Sequence, residues 1–215
     1  MNEFLEALIK NKELILTALE EHIQISFLAI ALGIIVALPM GVLLTFNKRL
    51  ASIVLGIFGV INTIPSLVLL GIAMIFLGLG FVPAVAVLFV YSLLPIMRAT
   101  YTGLVEVDKK YIKAARGMGM SRLQILRLVQ IPLAMPSIIT GIRLSSVYII
   151  SWATLSAFIG AGGLGDLIWM GLQSYDFNLV FCGAIPTTIL AFCVSILMNI
   201  LIRYSERRSA GEVRS

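Results

Sequence analysis

Charged side chains are scarce in this 215-residue sequence: Asp, Glu, Lys and Arg together make up 13% of it, whereas 60% of the residues are hydrophobic. The mean hydropathy is +1.04. A soluble domain of this length exposes more surface than so few charges can keep solvated. The scarcity of charge therefore excludes an ordinary soluble fold and predicts an integral membrane protein.

Cysteine and histidine are almost absent, since the chain contains only Cys182, Cys193 and His22. The two cysteines lie eleven residues apart in one apolar run, too far apart to bridge each other on one helix. We expect both to be small core residues. His22 begins the first long apolar run, where an interfacial position is expected. These residues do not form a metal site.

Five apolar stretches are each long enough to cross a hydrocarbon core about 30 Å thick. They cover approximately residues 23–46, 50–77, 82–104, 134–159 and 179–204. Pro65 and Pro186 are candidate breaks in the second and fifth stretches. The predicted fold class is therefore all-α, with five transmembrane helices in a membrane domain over residues 22–204 and a tail over 205–215.

The first 21 residues have a different composition, with five acids and two lysines. They lack the cationic start and apolar core of a signal peptide. Leucine and isoleucine recur in them at helical spacing, which predicts a short amphipathic helix at the membrane surface. We assign residues 1–21 to an extracytoplasmic amphipathic segment.

The basic residues are segregated along the chain. Twelve of the sixteen Lys and Arg residues lie at Lys48-Arg49, in the loop 105–131 or in the C-terminal tail. By the positive-inside rule these segments face the cytoplasm, which places the N-terminus outside and the C-terminus inside. Arg98 and Arg143 are expected near span ends, where long side chains can reach the interface.

Acidic residues are absent from the centres of all five stretches. Because ionisable groups inside a membrane commonly mark ion or proton pathways, their absence argues against a proton-driven transporter. The sequence has no Ser–His–Asp grouping, no intramembrane carboxylate pair and no Walker-type phosphate loop. We therefore predict that the chain is not an enzyme, binds no cofactor and takes its driving energy from another protein.

The loop VDKKYIKAARGMGMSRLQILRLVQIPLAMP (107–136) predicts two short helices joined at a glycine. The local signals are an Asp108 cap with a Val107–Ile112 staple, Gly119 as a left-handed stop and a Ser121–Gln124 capping box. The alanines of the first helix leave a small, smooth face that another backbone can approach. One interpretation is a hairpin that simply connects two spans.

A second interpretation comes from a resemblance. The residues Lys113, Ala114, Ala115 and Gly119, followed by Val129, Ile131 and Pro132, resemble the "EAA" loop of permease subunits in ATP-binding-cassette importers. The pattern of that loop is E-A-A-x-x-x-G-x9-I-x-L-P, so Lys113 departs from its acidic position. The resemblance implies the type I importer permease fold. It also implies that residues 105–132 are a coupling loop, with Ala114, Ala115 and Gly119 docking into a separate ATPase.

Further stretches of the sequence make the resemblance more specific. NTIPSLVLLG (62–71), YSLLPIMRATYTGL (91–104), VDKKYIKAARGMGM (107–120) and SWATLSAFIGAGGLGDLI (151–168) are similar to the permeases of osmoprotectant importers. This implies a multi-pass cell-membrane subunit for glycine betaine, carnitine or choline. The implied partners are cytoplasmic ATPase subunits that bind ATP and Mg²⁺, a second permease copy or homologue, and an extracytoplasmic binding protein.

Two other readings stay open at this point. Methionine and taurine permeases share parts of the same stretches, so another small solute such as an amino acid is an alternative substrate. A channel or structural membrane subunit is a further alternative, because glycines such as Gly33 and Gly41 also suit helix packing in an oligomer.

GAGGLG (160–165) has the G-x-G-x-x-G spacing of a dinucleotide-binding turn. Helix-period apolar residues precede it instead of a strand, which excludes that reading. Glycines also let a backbone turn sharply and pack closely. We expect Gly160, Gly162, Gly163 and Gly165 to form part of an outer gate, followed by a short helix that dips back. An ordinary interfacial loop is the alternative.

A quaternary ammonium group carries charge but no N–H donor, so aromatic faces suit it. Tyr91, Tyr148 and Trp152 are aromatic residues of the predicted spans, and Asn62 is nearly the only polar amide at depth. We take these four residues as candidates for the substrate path. Ordinary packing is the alternative for each aromatic residue.

Overall fold

The computed structural model describes residues 8–212, with side chains to residue 207, and all regular elements within this range are helical. The α-helices are α1 (Lys12–Leu44), α2 (Lys48–Thr63), α3 (Ser66–Leu77), α4 (Phe81–Val105), α5 (Lys109–Gly117), α6 (Arg122–Ile125), α7 (Ile131–Trp152), α8 (Leu164–Ser174) and α9 (Phe177–Glu212). A π-helical turn, Leu126–Gln130, joins α6 to α7, and a 3-10 segment, Ala153–Ile159, extends α7. The all-α prediction is confirmed for this range.

Four helical stretches are long and apolar enough to span a membrane, namely α1, α4, the run Arg122–Ile159 and α9 as far as Arg207. The helices α2 and α3 form a fifth candidate span only together, because they meet at 95°. Their break lies at Ile64, which is extended, as proline requires of the residue before it. The predicted break at Pro65 is confirmed.

The predicted break at Pro186 is wrong, because α9 continues through this residue. A proline inside a helix removes one backbone hydrogen bond, and membrane helices tolerate this where neighbouring helices support them. Here Gly183 lies against Leu164 and Ile168 of α8, and this packing holds the region of α9 just before the proline.

Residues 1–7 of the predicted N-terminal segment lie outside the described range. From Lys12 onward the segment is continuous with the first span instead of forming a separate helix. Ala18 packs against Leu164 and Leu167, so the first turns of α1 cover α8. Helix α8 itself runs antiparallel to the start of α9, since Gly171 lies against Val180.

Small residues bring α1, α4 and α7 into close contact. Gly33 and Gly41 of α1 lie against Ser92 and Thr100 of α4, and a Cβ at either glycine would overlap those side chains. Gly141 of α7 approaches α4 in the same way. Close approach of backbones is the main source of helix association in membranes. Gly33 and Gly41 therefore serve packing inside this chain.

The bundle has two chemically different ends. At the glycine end, residues 160–163 meet the first turns of α1 and the 78–80 loop, where the Gly80 N–H donates to the Ile159 carbonyl over 2.8 Å. At the basic end, an apolar cluster that includes Leu104, Val107 and Leu126 supports α5 and its lysines. The predicted coupling loop and the predicted gate thus lie at opposite ends of the bundle.

Three residues are placed differently from expectation. His22, expected at the interface, is buried, and its Nε2 donates to the Ile150 carbonyl over 3.0 Å. Cys182 is buried but Cys193 is exposed, so the core expectation is wrong for Cys193. Arg143, expected near a span end, lies in the middle of α7 and bonds to α9. For His22 and Arg143 the partners are distant in sequence.

Candidate functional site

Helix α5, the first helix of the predicted coupling loop, begins with a charged cap. The Asp108 carboxylate accepts the Lys110 backbone N–H over 2.9 Å and pairs with the Lys110 ammonium over 2.9 Å. The backbone hydrogen bond and this ammonium lower the pKa of Asp108, and the carboxylate raises the pKa of Lys110. Val107 and Ile112 pack in one apolar cluster. The predicted cap and staple are confirmed.

Gly119 ends α5 as predicted, with φ at +81°. Its N–H donates to the Arg116 carbonyl over 3.0 Å, and the Met120 N–H donates to the Ala115 carbonyl over 3.2 Å. This pair of hydrogen bonds is the Schellman motif, which satisfies the last carbonyls of a helix. An L-residue other than glycine would be strained at this position.

The two alanines of α5 have different environments. Ala115 is 1% exposed and faces the protein, whereas Ala114 is exposed beside Lys113. Met118, which the sequence analysis did not select, is 71% exposed one helical turn after Ala114. Its signal in the sequence is an apolar side chain between two glycines in a charged segment. The surface that α5 offers a partner is therefore Ala114, Gly117 and Met118.

The second half of the loop begins with the predicted capping box. The Ser121 N–H donates to the Gln124 side chain over 2.7 Å, and the Gln124 N–H donates to the Ser121 hydroxyl over 3.3 Å. A π-helical turn follows, in which the Ile131 N–H donates to the Leu126 carbonyl. Pro132 explains this turn, because its ring would clash with a carbonyl four residues earlier in a regular α-helix.

The loop is joined firmly to the helix bundle. The Gln130 side chain donates to the Leu104 carbonyl of α4 over 3.3 Å, and Ile131 packs on the cluster beneath α5. Leu123 and Leu128 of this half of the loop remain exposed. The loop thus contacts α4 and α7 through one side-chain hydrogen bond and one apolar cluster.

Each predicted gate glycine meets a geometric demand of its own. Gly160, Gly162 and Gly163 have φ values of +67°, +82° and +89°. A Cβ on Gly162 would overlap the Glu21 carboxylate, and a Cβ on Gly165 would overlap the Thr154 backbone. The expected sharp turn and close packing are confirmed, as is the short helix that follows, now α8.

Two carboxylates, those of Glu21 and Asp166, lie beside this glycine turn. The sequence did not predict this arrangement. The Glu21 carboxylate accepts the Gly163 N–H over 2.8 Å, across 142 positions of sequence. Asp166 lies near Glu21, and its burial, together with the charge of Glu21, raises the pKa of Asp166. Within the described residues no group of three or more His, Cys, Asp or Glu is arranged to hold a metal.

Three of the four candidate path residues form one aromatic array. The Trp152 ring meets Tyr91 edge-on, with centroids 4.8 Å apart, and stacks on Tyr148 at 5.6 Å. Tyr91 is buried, and its hydroxyl donates to the Ile64 carbonyl over 2.6 Å, at the break between α2 and α3. Tyr148 is 43% exposed. Asn62 instead bonds to Phe58 within its own helix.

Tyr148 belongs to an exposed face of α7, here called the α7 stripe. Its members are Ser137, Thr140, Leu144, Tyr148 and Ser151. At about 100° per residue they fall within an arc of about 80°. Four of the five carry hydroxyl groups, whereas exposed residues of α9 such as Ile189, Phe192 and Ile196 are apolar. Polar groups on a membrane helix commonly face protein or water.

Comparison with known proteins gives consistent matches. A family model described as "Binding-protein-dependent transport system inner membrane component" matches residues 29–211. The glycine betaine/carnitine/choline transport system permease protein OpuCB of Bacillus subtilis is 45% identical over 203 residues, covering 94% of each chain. The choline transport system permease protein OpuBB of the same organism is 47% identical, covering 85% of this chain and 84% of the relative.

The carnitine transport permease protein OpuCB of Listeria monocytogenes is 49% identical over 179 residues, covering 83% of this chain and 82% of the relative. Among solved structures, inward-facing conformations of the MetNI methionine ABC transporter match with a TM-score of 0.81 at 23% identity. That match covers 91% of this chain and 98% of the other chain. It shows that the two chains share a fold.

Proposed function

The chain belongs to the family of inner membrane components of binding-protein-dependent transport systems, and we propose that its substrates are quaternary ammonium osmoprotectants. The observation that carries the substrate class is 45–49% identity to permeases that are all named for glycine betaine, carnitine or choline. A permease subunit moves solute and is not itself an enzyme. The resemblance drawn from the loop and its neighbouring stretches is thereby confirmed.

The aromatic array supports this substrate class. A quaternary ammonium ion cannot donate N–H hydrogen bonds, so a binding site for it relies on the faces of aromatic rings. Tyr148 and Trp152 stack with an angle of 22° between their planes, and Tyr148 is partly exposed on the α7 stripe. We assign these two residues to the substrate path, with Tyr91 supporting Trp152 from behind. Asn62 is a weaker candidate because its amide is bonded locally.

We place the basic end of the bundle in the cytoplasm. The argument is the positive-inside rule, because the loop and tail at that end carry most of the lysines and arginines. The exposed surface of Ala114, Gly117 and Met118 then faces the cytoplasm. A separate ATPase, which binds ATP and Mg²⁺, docks there. The exposed positive charges of Lys113 and Arg116 lie beside this surface and suit an acidic partner surface.

The glycine end then faces the outside, where a substrate-binding protein delivers its solute. We assign the turn 160–165 to the outer gate, because Gly162 and Gly165 pack against Glu21 and Thr154 with no room for a side chain, and Gly160 and Gly163 have positive φ. Two permease copies, identical or homologous, enclose the path. When the two ATPases close on nucleotide, they draw the α5 helices together and tilt the spans between inward-open and outward-open states.

The test is transport by the assembled system. The permease is reconstituted in proteoliposomes with its ATPase and binding protein, and uptake of labelled glycine betaine, carnitine, choline and methionine is measured with and without ATP. We expect ATP-dependent uptake of at least one quaternary amine and none of methionine. Uptake of methionine alone, or equal uptake without ATP, contradicts the proposal.

A further inference from the structure

Arg143 is a cation in the middle of a membrane helix. Its Nε donates to the Ser195 hydroxyl over 3.1 Å, and its Nη1 donates to the Asn199 side-chain oxygen over 2.7 Å. Neither partner carries a charge. The structure describes side chains for residues 8–207. Within that range no carboxylate pairs with Arg143, and the ion pair found there joins Lys110 to Asp108.

A guanidinium group has five N–H donors, and the two contacts to α9 use two of them. The Arg143 side chain lines a groove of about 490 Å³ between α7 and α9. The groove is lined by Arg143, Thr140, Leu144, Thr188, Phe192 and Ser195. A charged group at this depth is costly unless it is paired, and such residues are commonly functional. The free donors therefore need a polar or anionic partner in the groove.

The groove opens beside the α7 stripe, because Thr140 and Leu144 belong to both. Leu144 lies at the centre of the stripe. At about 100° and 1.5 Å per residue, Arg143 lies about 100° to one side of Leu144, and Tyr148 lies about 40° to the other side, about 7.5 Å along α7 from Arg143. Tyr148 stacks on Trp152, which meets Tyr91 of α4, whereas Arg143 is bonded to α9.

We propose that Arg143 binds the carboxylate of a zwitterionic substrate whose quaternary ammonium group lies on the exposed ring of Tyr148. Arginine suits this role because its planar guanidinium can bind a carboxylate through two parallel hydrogen bonds. Ser195 and Asn199 hold the guanidinium in orientation at the edge of the groove and leave its other donors for a ligand. The inference rests on the proposed function and assigns to this chain a preference for carboxylate-bearing amines over choline.

The experiment measures equilibrium binding to the permease–ATPase complex in nanodiscs, without a binding protein. Labelled glycine betaine is compared with labelled choline, a quaternary amine that lacks a carboxylate. The variants are Arg143→Gln and Arg143→Lys. Arg98→Gln is the matched control, because it removes another arginine from a span, on the exposed surface of α4. Co-purification with the ATPase reports that each variant is folded.

We expect Arg143→Gln to weaken glycine betaine binding by about 10- to 100-fold, since a hydrogen-bonded charge pair is lost. Choline binding should be unchanged, Arg143→Lys should be intermediate for glycine betaine, and Arg98→Gln should match the wild type. Equal losses for both ligands would mean that Arg143 only ties α7 to α9, and they overturn the proposal.

The outcomes also separate this inference from the proposed function. Wild-type binding of choline without glycine betaine overturns the carboxylate site and leaves the quaternary amine assignment intact. If the wild type binds neither ligand and the assembled transporter takes up neither, both the carboxylate site and the quaternary amine assignment are wrong.

Discussion

Replacing Ala114 with leucine should detach the ATPase while leaving the permease folded. Ala114 is exposed on α5, and leucine is nearly as good a helix former, so the cost to folding is below about 0.5 kcal/mol. In a closely packed docking cleft, three extra carbon atoms cost about 1–3 kcal/mol. That free energy corresponds to an affinity for the ATPase weaker by about 5- to 150-fold.

Ala115→Leu is the matched control one position along the same helix. Ala115 is 1% exposed, so the same added volume must be accommodated inside the permease. We expect this variant to lose about 1–3 kcal/mol of folding stability. Thermal unfolding in detergent should show a lowered midpoint for Ala115→Leu and an unchanged midpoint for Ala114→Leu.

The assay combines unfolding with titration of purified ATPase onto the permease in nanodiscs, read as ATPase binding and as coupled uptake. We expect Ala114→Leu to lose ATPase binding without losing stability. Wild-type affinity of Ala114→Leu for the ATPase would refute the assignment of this surface. A lowered midpoint for Ala114→Leu would contradict the exposure on which the argument depends.

Three other outcomes are expected. Gly162→Ala should abolish ATP-driven uptake at normal expression, because φ is +82° and the Cβ meets the Glu21 carboxylate, and normal uptake would exclude the gate role. Because the pKa of Asp166 is raised above its ordinary value, folding favours the protonated carboxyl, so stability should fall as pH rises from that ordinary value through the raised pKa. Asp166→Asn should reduce the change of melting temperature with pH over that range. If the variant and the wild type show the same pH dependence, the burial of this carboxyl is contradicted. Lys113→Cys should react with a membrane-impermeant maleimide only from the cytoplasmic side, and labelling from outside would reverse the topology.

Local signals predicted the loop well. The Asp108 cap, the Gly119 stop and the Ser121–Gln124 capping box each depend on residues within a few positions of one another. A short segment contains all the atoms that form such a motif, so its outcome depends little on the rest of the fold.

The same local signal gave opposite results at the two prolines. Pro65 follows a break of 95°, whereas Pro186 lies inside a continuous helix. The proline ring removes one hydrogen bond in either case. What differs is the neighbouring packing: α9 is held against α8 through Gly183. Periodicity and residue type contain no information about such neighbours.

The sequence by itself determined that the chain lies in a membrane, approximately where its apolar helices end, and how the predicted coupling loop folds. Apolar stretches and helix caps each depend on residues that are close together in sequence. The sequence alone therefore predicts them. The tertiary structure decided which alanine of α5 is exposed, which carboxylate meets the glycine turn and what Arg143 contacts. Those contacts join residues as far as 142 positions apart, and only the packing of helices on one another brings their atoms together.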